Sequence, residues 1–190
     1  MNIVELIREE VIKRANEDSI TRDYSFYEEH IKYVVQNAIK LASKYNADIE
    51  IVELAALLHD IAIVSKVGDR EAHHINGSII AEELLTKYSY PKERIDRIKS
   101  CILRHRASIE LPRNTIEEII IADADAMSHF DNITLLYVTA VKRKGKNIKD
   151  ASNWVKKKLE NDYNKLSPRA KEDQKERYEN IMKVLFEKNE

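Results

Sequence analysis

The chain has 190 residues, room for one domain of ordinary size, with 43% hydrophobic residues, 34% charged residues and a formal net charge of −1. That balance excludes a disordered polymer, and the near-zero charge excludes a global field drawing the protein to nucleic acid or to an anionic membrane. Three Gly and three Pro are too few for the turns of an all-β fold, and the lone Cys101 excludes an intramolecular disulfide and a cysteine-based zinc site.

Met1-Asn2-Ile3-Val4-Glu5-Leu6 carries an acid early and lacks a continuous apolar stretch, so no signal peptide is expected. No run approaches the roughly 18 apolar residues of a membrane span. The expectation is a cytoplasmic, all-α protein, a single domain over 1–190.

Ile3, Ile7, Val11 and Ala15 recur at helical spacing and predict an amphipathic helix over 2–16, with a polar connection from Asn16 to Tyr24. A second helix is predicted from about Ser25 to Tyr45, where His30, Val34, Ala38, Leu41 and Tyr45 share one face. The third runs from Asp48, a plausible cap, to Val64, with Val52, Ala55, Ala56, His59 and Ile63 on one face. It is apolar nearly all round, so it should lie at the centre, where an ionised Asp60 is costly without a cation or strong donors.

Lys66 to Arg70 is a polar connection, and a fourth helix extends to about Tyr88. His73, Gly77, Ile80 and Leu84 form one stripe on it, and His74, Ser78, Ala81 and Leu85 the adjacent one. Gly77 inside a helix costs up to about 1 kcal/mol relative to Ala, which implies a close approach to the backbone there. Pro91 suits the first turn of a fifth helix, on which Ile95, Ile98, Ile102 and His105 share a face. Thr115-Ile116-Glu117-Glu118 reads as a capping box, opening a sixth helix that carries Asp123 and Asp125 within an apolar segment.

Residues 133–141 continue helical. Lys142-Arg143-Lys144-Gly145-Lys146 is a short basic turn without flanking aromatics, better read as a solvated connection than as a nucleic-acid patch. Trp154, Val155, Leu159 and Tyr163 give the next helix its stripe. A last helix starts at Ser167-Pro168, with Tyr178, Ile181, Met182, Leu185 and Phe186 as its docking face.

Imidazole and carboxylate are the ligand set of divalent transition metals. His59 and Asp60 point about 100° apart on a regular helix, yet can flank one ion from either side. His30 and one aspartate of the sixth helix, Asp123 or Asp125, would complete the set. Each residue alone has an ordinary explanation as a core histidine or a cap. The order along the chain is what carries weight.

That order resembles the HD-domain superfamily of metal-dependent phosphohydrolases, whose signature is H…HD…D. The matching pieces are Tyr27-Glu28-Glu29-His30-Ile31, Leu57-Leu58-His59-Asp60-Ile61 and Ala122-Asp123-Ala124-Asp125-Ala126-Met127, and they span about residues 25–130. The helix Lys171 to Phe186 is similar to the tail of many bacterial and archaeal members. The resemblance implies an HD-type helical bundle with its metal-binding core at about 25–130 and a helical extension at about 147–190.

It further implies His30, His59, Asp60 and Asp125 as metal ligands, with Asp123 the alternative; Met127 matches the hydrophobic residue that follows the ligand aspartate in the family. Some relatives hold a second metal through two more histidines, which here would be His73 (alternative His74) and His105, with Asp60 bridging and catalytically essential. The cofactor would be one or two ions of Mn, Fe, Zn, Ni, Co or Mg. The implied activity is hydrolysis of a phosphoester in a nucleotide or other small metabolite, by a phosphomonoesterase or phosphodiesterase reaction, with Lys66, Arg104 and Arg106 as candidate phosphate contacts. The implied partners are that small substrate and a second copy in a homodimer, with no membrane and no nucleic acid.

After Asp60 comes Ile61-Ala62-Ile63-Val64, so the acidic pair of guanosine tetraphosphate hydrolases, the further acid of some nucleotidases and the GYP signature of cyclic di-GMP phosphodiesterases are all missing. Two other readings compete: a diiron HD-type oxygenase, and a regulatory module that keeps a metal as a structural staple.

Overall fold

The computed structural model describes residues 2–106 and 111–186, and every regular element among them is helical. The chain divides into two compact units, Met1–Asp125 and Ala126–Glu190. No helix among the described residues is long and apolar enough to cross a membrane.

In the first unit, α1 spans Ile3–Arg22 and so continues through the expected connection, stopping where Asp23 takes a left-handed φ of 64°. Its buried stripe of Ile7, Val11 and Ala15 is extended by Asp18, a polar residue turned inward at 2% exposure. Such a substitution on the buried face hides the continuation from a hydrophobicity pattern. A π-helical turn, Tyr27–Ile31, then leads into α2, Lys32–Tyr45. Asn46 in the left-handed region ends α2.

The predicted third helix is broken. α3 covers Ile49–Leu58, and α4 only Ile61–Val64. Asp48 does cap α3, its carboxylate accepting from the Ile51 N–H at 3.2 Å. Ile51, Val52, Leu54, Ala55, Ala56, Leu57 and Leu58 are all fully buried, the central position that an all-round apolar helix requires. Each such Leu or Ile stabilises the unit by about 1.5–3 kcal/mol. α1, α2 and α6 all pack on α3.

A 3₁₀ turn, Arg70–Ala72, precedes α5, His73–Lys87, which lies along α6, Lys92–Arg104. An ideal Cβ on Gly77 would sit 3.5 Å from the His59 carbonyl oxygen and 3.5 Å from Ile102 Cγ2. The close neighbour implied by this glycine is therefore the α3–α4 junction itself, at ordinary van der Waals distance. The capping box forms as expected: the Glu118 N–H donates to Thr115 Oγ1 at 3.3 Å, and the Thr115 N–H to the Glu118 carboxylate at 3.4 Å. It opens α7, Ile116–Asp131.

In the second unit, Asn132 caps α8, Ile133–Val138, and Asn147 caps α9, Ile148–Lys165. Ala151, Val155 and Leu159 of α9, with Leu166 and Ala170, form its core. Lys144 lies over the Trp154 ring at 5.3 Å, an aromatic partner that the basic turn lacks in sequence. The last helix, α10, spans Pro168–Phe186. Its buried residues are Ala170 and Gln174 in its first turns, whereas Leu185 of the expected docking face is 41% exposed. Tyr178 of the expected docking face, midway along α10, does meet α9, stacked on Tyr163 at 4.0 Å.

Candidate metal centre

Four breaks in regular helix bring the predicted residues of the first unit together. His30 sits in the π turn before α2, where one residue is added to the turn and the side chain is re-aimed; π turns are common at functional sites for that reason. Phe26 packs on its ring at 4.9 Å. His59 is the C-cap of α3, His105 the C-cap of α6, and His73 closes the 3₁₀ turn before α5.

At a helix end the last carbonyls have no backbone donor waiting for them. Each of these three histidines donates from Nδ1 to the carbonyl three residues before it, and at Arg70 that carbonyl also accepts the His73 backbone N–H. His59 donates to Ala56 O at 2.7 Å, His73 to Arg70 O at 2.5 Å and His105 to Ile102 O at 2.6 Å. A carbonyl can only accept, so the proton is assigned to Nδ1, and in the neutral ring Nε2 is left with its lone pair. These carbonyls are what the sequence reading missed. For His59 and His105 the signal was available: a histidine placed at the end of an apolar periodic run has a helix-end carbonyl three residues back.

The three Nε2 atoms and that of His30 converge on Asp60. Asp60 Oδ2 lies 3.5 Å from both His30 Nε2 and His59 Nε2, while Oδ1 lies 3.2 Å from His73 Nε2 and 3.8 Å from His105 Nε2. The helix break allows this. Asp60 has φ −112° and ψ 21°, outside the helix, so its carboxylate is freed from the 100° offset that a continuous helix would impose. Asp125 completes the first group, its Oδ1 3.4 Å from His30 Nε2 and 4.0 Å from His59 Nε2. Asp123, two residues away, is buried but does not join either group of ligand atoms. His74 is buried beside His73, ring centroids 5.8 Å apart, and also stands outside the groups.

Two sets of donor atoms thus share one carboxylate: His30, His59 and Asp60, and Asp60, His73 and His105. The arrangement is unfavourable without a cation. His30 and His59 approach Nε2 to Nε2 at 3.2 Å, and so do His73 and His105. In the second pair both Nδ1 protons are already committed, so two lone pairs face each other. Asp60 Oδ1 is buried and receives no hydrogen bond, a state that costs several kcal/mol for a charged oxygen unless something positive compensates it. The donor set is nitrogen and carboxylate oxygen, the chemistry of a divalent transition metal.

The titration behaviour has the same cause. Burial works against charge on His30, but the carboxylates of Asp125 and Asp60 outweigh it and hold its pKa up at about 9. Burial also opposes ionisation of Asp60, yet the surrounding imidazoles, His59 foremost, keep it far below the usual carboxylate range. His105 is pushed down to about 4, first by burial and then by His59.

The three candidate phosphate contacts are all engaged. Lys66 faces the buried Asp18 at 3.6 Å, Arg104 binds Ser100 Oγ at 2.7 Å and the Pro112 carbonyl at 3.0 Å with Glu118 at 3.8 Å, and Arg106 pairs with Glu71.

This chain is similar to known proteins in sequence and in fold. It is 28% identical over 142 residues to the tRNA (cytidine(56)-2'-O)-methyltransferase of Thermoplasma volcanium, which covers 67% of this chain but only 39% of that relative's length. Its fold is that of Bacillus subtilis YpgQ, solved in complex with ADP, at a TM-score of 0.67 and 24% identity over 95% of this chain and 93% of the other. A predicted HD superfamily hydrolase from an uncultured Thermotogales bacterium superposes at a TM-score of 0.52, with 22% identity over 84% of this chain and 92% of the other. The family model described as HD domain matches residues 27–129, more than half of the chain and the stretch that holds every ligand candidate above. The chain belongs to the HD-domain superfamily.

Proposed function

We propose that this protein hydrolyses a phosphoester bond of a nucleotide or other small phosphorylated metabolite at a centre built around Asp60. The observation that carries the reading is the shared carboxylate, with one oxygen facing His30 and His59 and the other facing His73 and His105. His30, His59, Asp60 and Asp125 would hold one ion; His73, His105 and the other oxygen of Asp60 would hold a second. Bound divalent ions would lower the pKa of water towards about 7 and neutralise phosphoryl oxygens.

The protein's own contribution is orientation. The Nδ1–H bonds of His59, His73 and His105 to backbone carbonyls lock each ring and its tautomer, as the outer partners of metal-binding histidines do. Because the carbonyls of Ala56 and Ile102 belong to helix ends packed in the core, the donor atoms of His59 and His105 keep their positions with little reorganisation. Asp60 stays ionised throughout, so its two oxygens remain available to both sides.

The ADP complex of YpgQ makes a nucleoside phosphate the first substrate class to try. The test is a screen of the Mn- and Fe-loaded protein against an aryl phosphate, nucleoside mono-, di- and triphosphates and cyclic dinucleotides. Phosphate or pyrophosphate release that depends on metal and disappears in Asp60→Ala supports the reading. Release that is unaffected by Asp60→Ala, or absent from every class with metal bound, ends it.

A further inference from the structure

We propose that Arg113 is the residue that grips a phosphoryl oxygen of the substrate at the Asp60 centre, an assignment that rests on the phosphoester reading above. Arg113 lies in the segment between α6, whose C-cap is His105, and α7, which carries Asp125. Its Nε–H donates to the Arg104 carbonyl at 3.1 Å, which fixes the guanidinium against the residue immediately before His105. No other described residue takes a hydrogen bond or an ion pair from it. The two terminal nitrogens form a planar fork matched to two oxygens of one phosphate.

Lys66, Arg104 and Arg106 differ from it in just this respect, since each already has a carboxylate beside it. Arg113 instead feels Asp123, Glu118 and Asp125 without a direct ion pair to any of them, and burial lowers its pKa. A half-buried cation with no anion in contact range among the described residues is costly, and a substrate phosphate would supply the missing partner. Tethering at Nε also removes much of the freedom that a long side chain loses on binding, so the fork is pre-organised. Lysine could supply charge here but not the two parallel bonds.

The experiment uses the full chain, metal-loaded, in wild-type, Arg113→Ala, Arg113→Lys and Arg106→Ala forms, with inorganic phosphate as the probe in titration calorimetry. Metal content and melting temperature are measured alongside. The expected result is phosphate binding weakened about tenfold or more in Arg113→Ala, partly restored in Arg113→Lys and unchanged in Arg106→Ala, with metal content constant throughout. Equal phosphate binding by Arg113→Ala, no phosphate binding by the wild type, or a metal loss that accounts for the weakening overturns the assignment. If Arg113→Ala unfolds, Arg113→Lys decides: full wild-type affinity there also overturns it. Wild-type protein that binds phosphate through Arg113 yet hydrolyses no phosphoester would remove the catalytic reading and leave this one standing.

Discussion

His73 Nε2 and His105 Nε2 face each other at 3.2 Å while each ring's Nδ1 is committed to a backbone carbonyl. Two acceptors held this close, with Asp60 Oδ1 beside them, are stabilised by a positive charge between them, a proton or a metal ion, which makes the second half of the centre the more telling one.

It follows that His105→Ala lowers the number of ions bound. The expected content of the wild type after loading with Mn or Fe is about two ions per chain, falling towards one in the variant. Atomic absorption on the dialysed proteins measures this directly. An unchanged ratio would leave a single ion at His30, His59, Asp60 and Asp125.

Asp60→Asn keeps the shape of the side chain and removes the charge that both halves share. Its turnover should drop by at least the roughly 10–100-fold that loss of a mere outer-shell partner costs at a metal site. Far-ultraviolet circular dichroism should stay at the wild-type value, because α3 and α4 are held by apolar burial on either side of the break.

Removing metal should destabilise the protein. Each ion present at about 100 times its dissociation constant stabilises the native state by about 2.7 kcal/mol, so a chelator should lower the melting temperature by about 5–10 °C per ion removed for a chain of this size. The same chelator should have little effect on Asp60→Asn.

Gly77→Ala tests the packing behind His59. The added methyl meets the His59 carbonyl and Ile102 at 3.5 Å and Ile61 at 3.7 Å, all ordinary contacts. Helix propensity then favours alanine by up to about 1 kcal/mol, and thermal melting should rise by a few degrees with metal content intact.

In the second unit the buried Asp162 is held by Lys158 at 2.5 Å and by His129 Nδ1 at 3.0 Å. Burial alone would raise its pKa, but His129 and Lys158 outweigh it and depress the value. A depressed carboxyl contributes stability that is present above the unfolded carboxylate pKa of about 3.9 and is lost as pH falls through the folded value. Asp162→Asn should therefore cost about 1–3 kcal/mol at pH 7, and the gap to wild type, read from urea midpoints, should narrow below about pH 4.

Helical periodicity sufficed to place most of the core. The stripes through Val34 and Ala38, Ile80 and Leu84, and Ile95 and Ile102 are all buried as the 3.6-residue repeat requires. It failed where the helix departs from that repeat, at the π turn of His30 and the break at His59 and Asp60. It also stopped α1 too early, since a buried aspartate at position 18 looks like a surface residue until its surroundings are known.

Composition and pattern by themselves determined an all-helical chain, the apolar helix that carries His59 and Asp60, and the ordered series of histidines and aspartates that identifies the superfamily. Those follow from local chemistry and spacing. Which atoms meet was decided only in three dimensions. Asp125 comes within reach of His30 and His73 within reach of Asp60, while Asp123 and His74 join neither group of ligand atoms. Neighbouring residues on one helix differ by a rotation, and only the packing of α3, α5, α6 and α7 determines which of two adjacent side chains that rotation brings to the Asp60 centre.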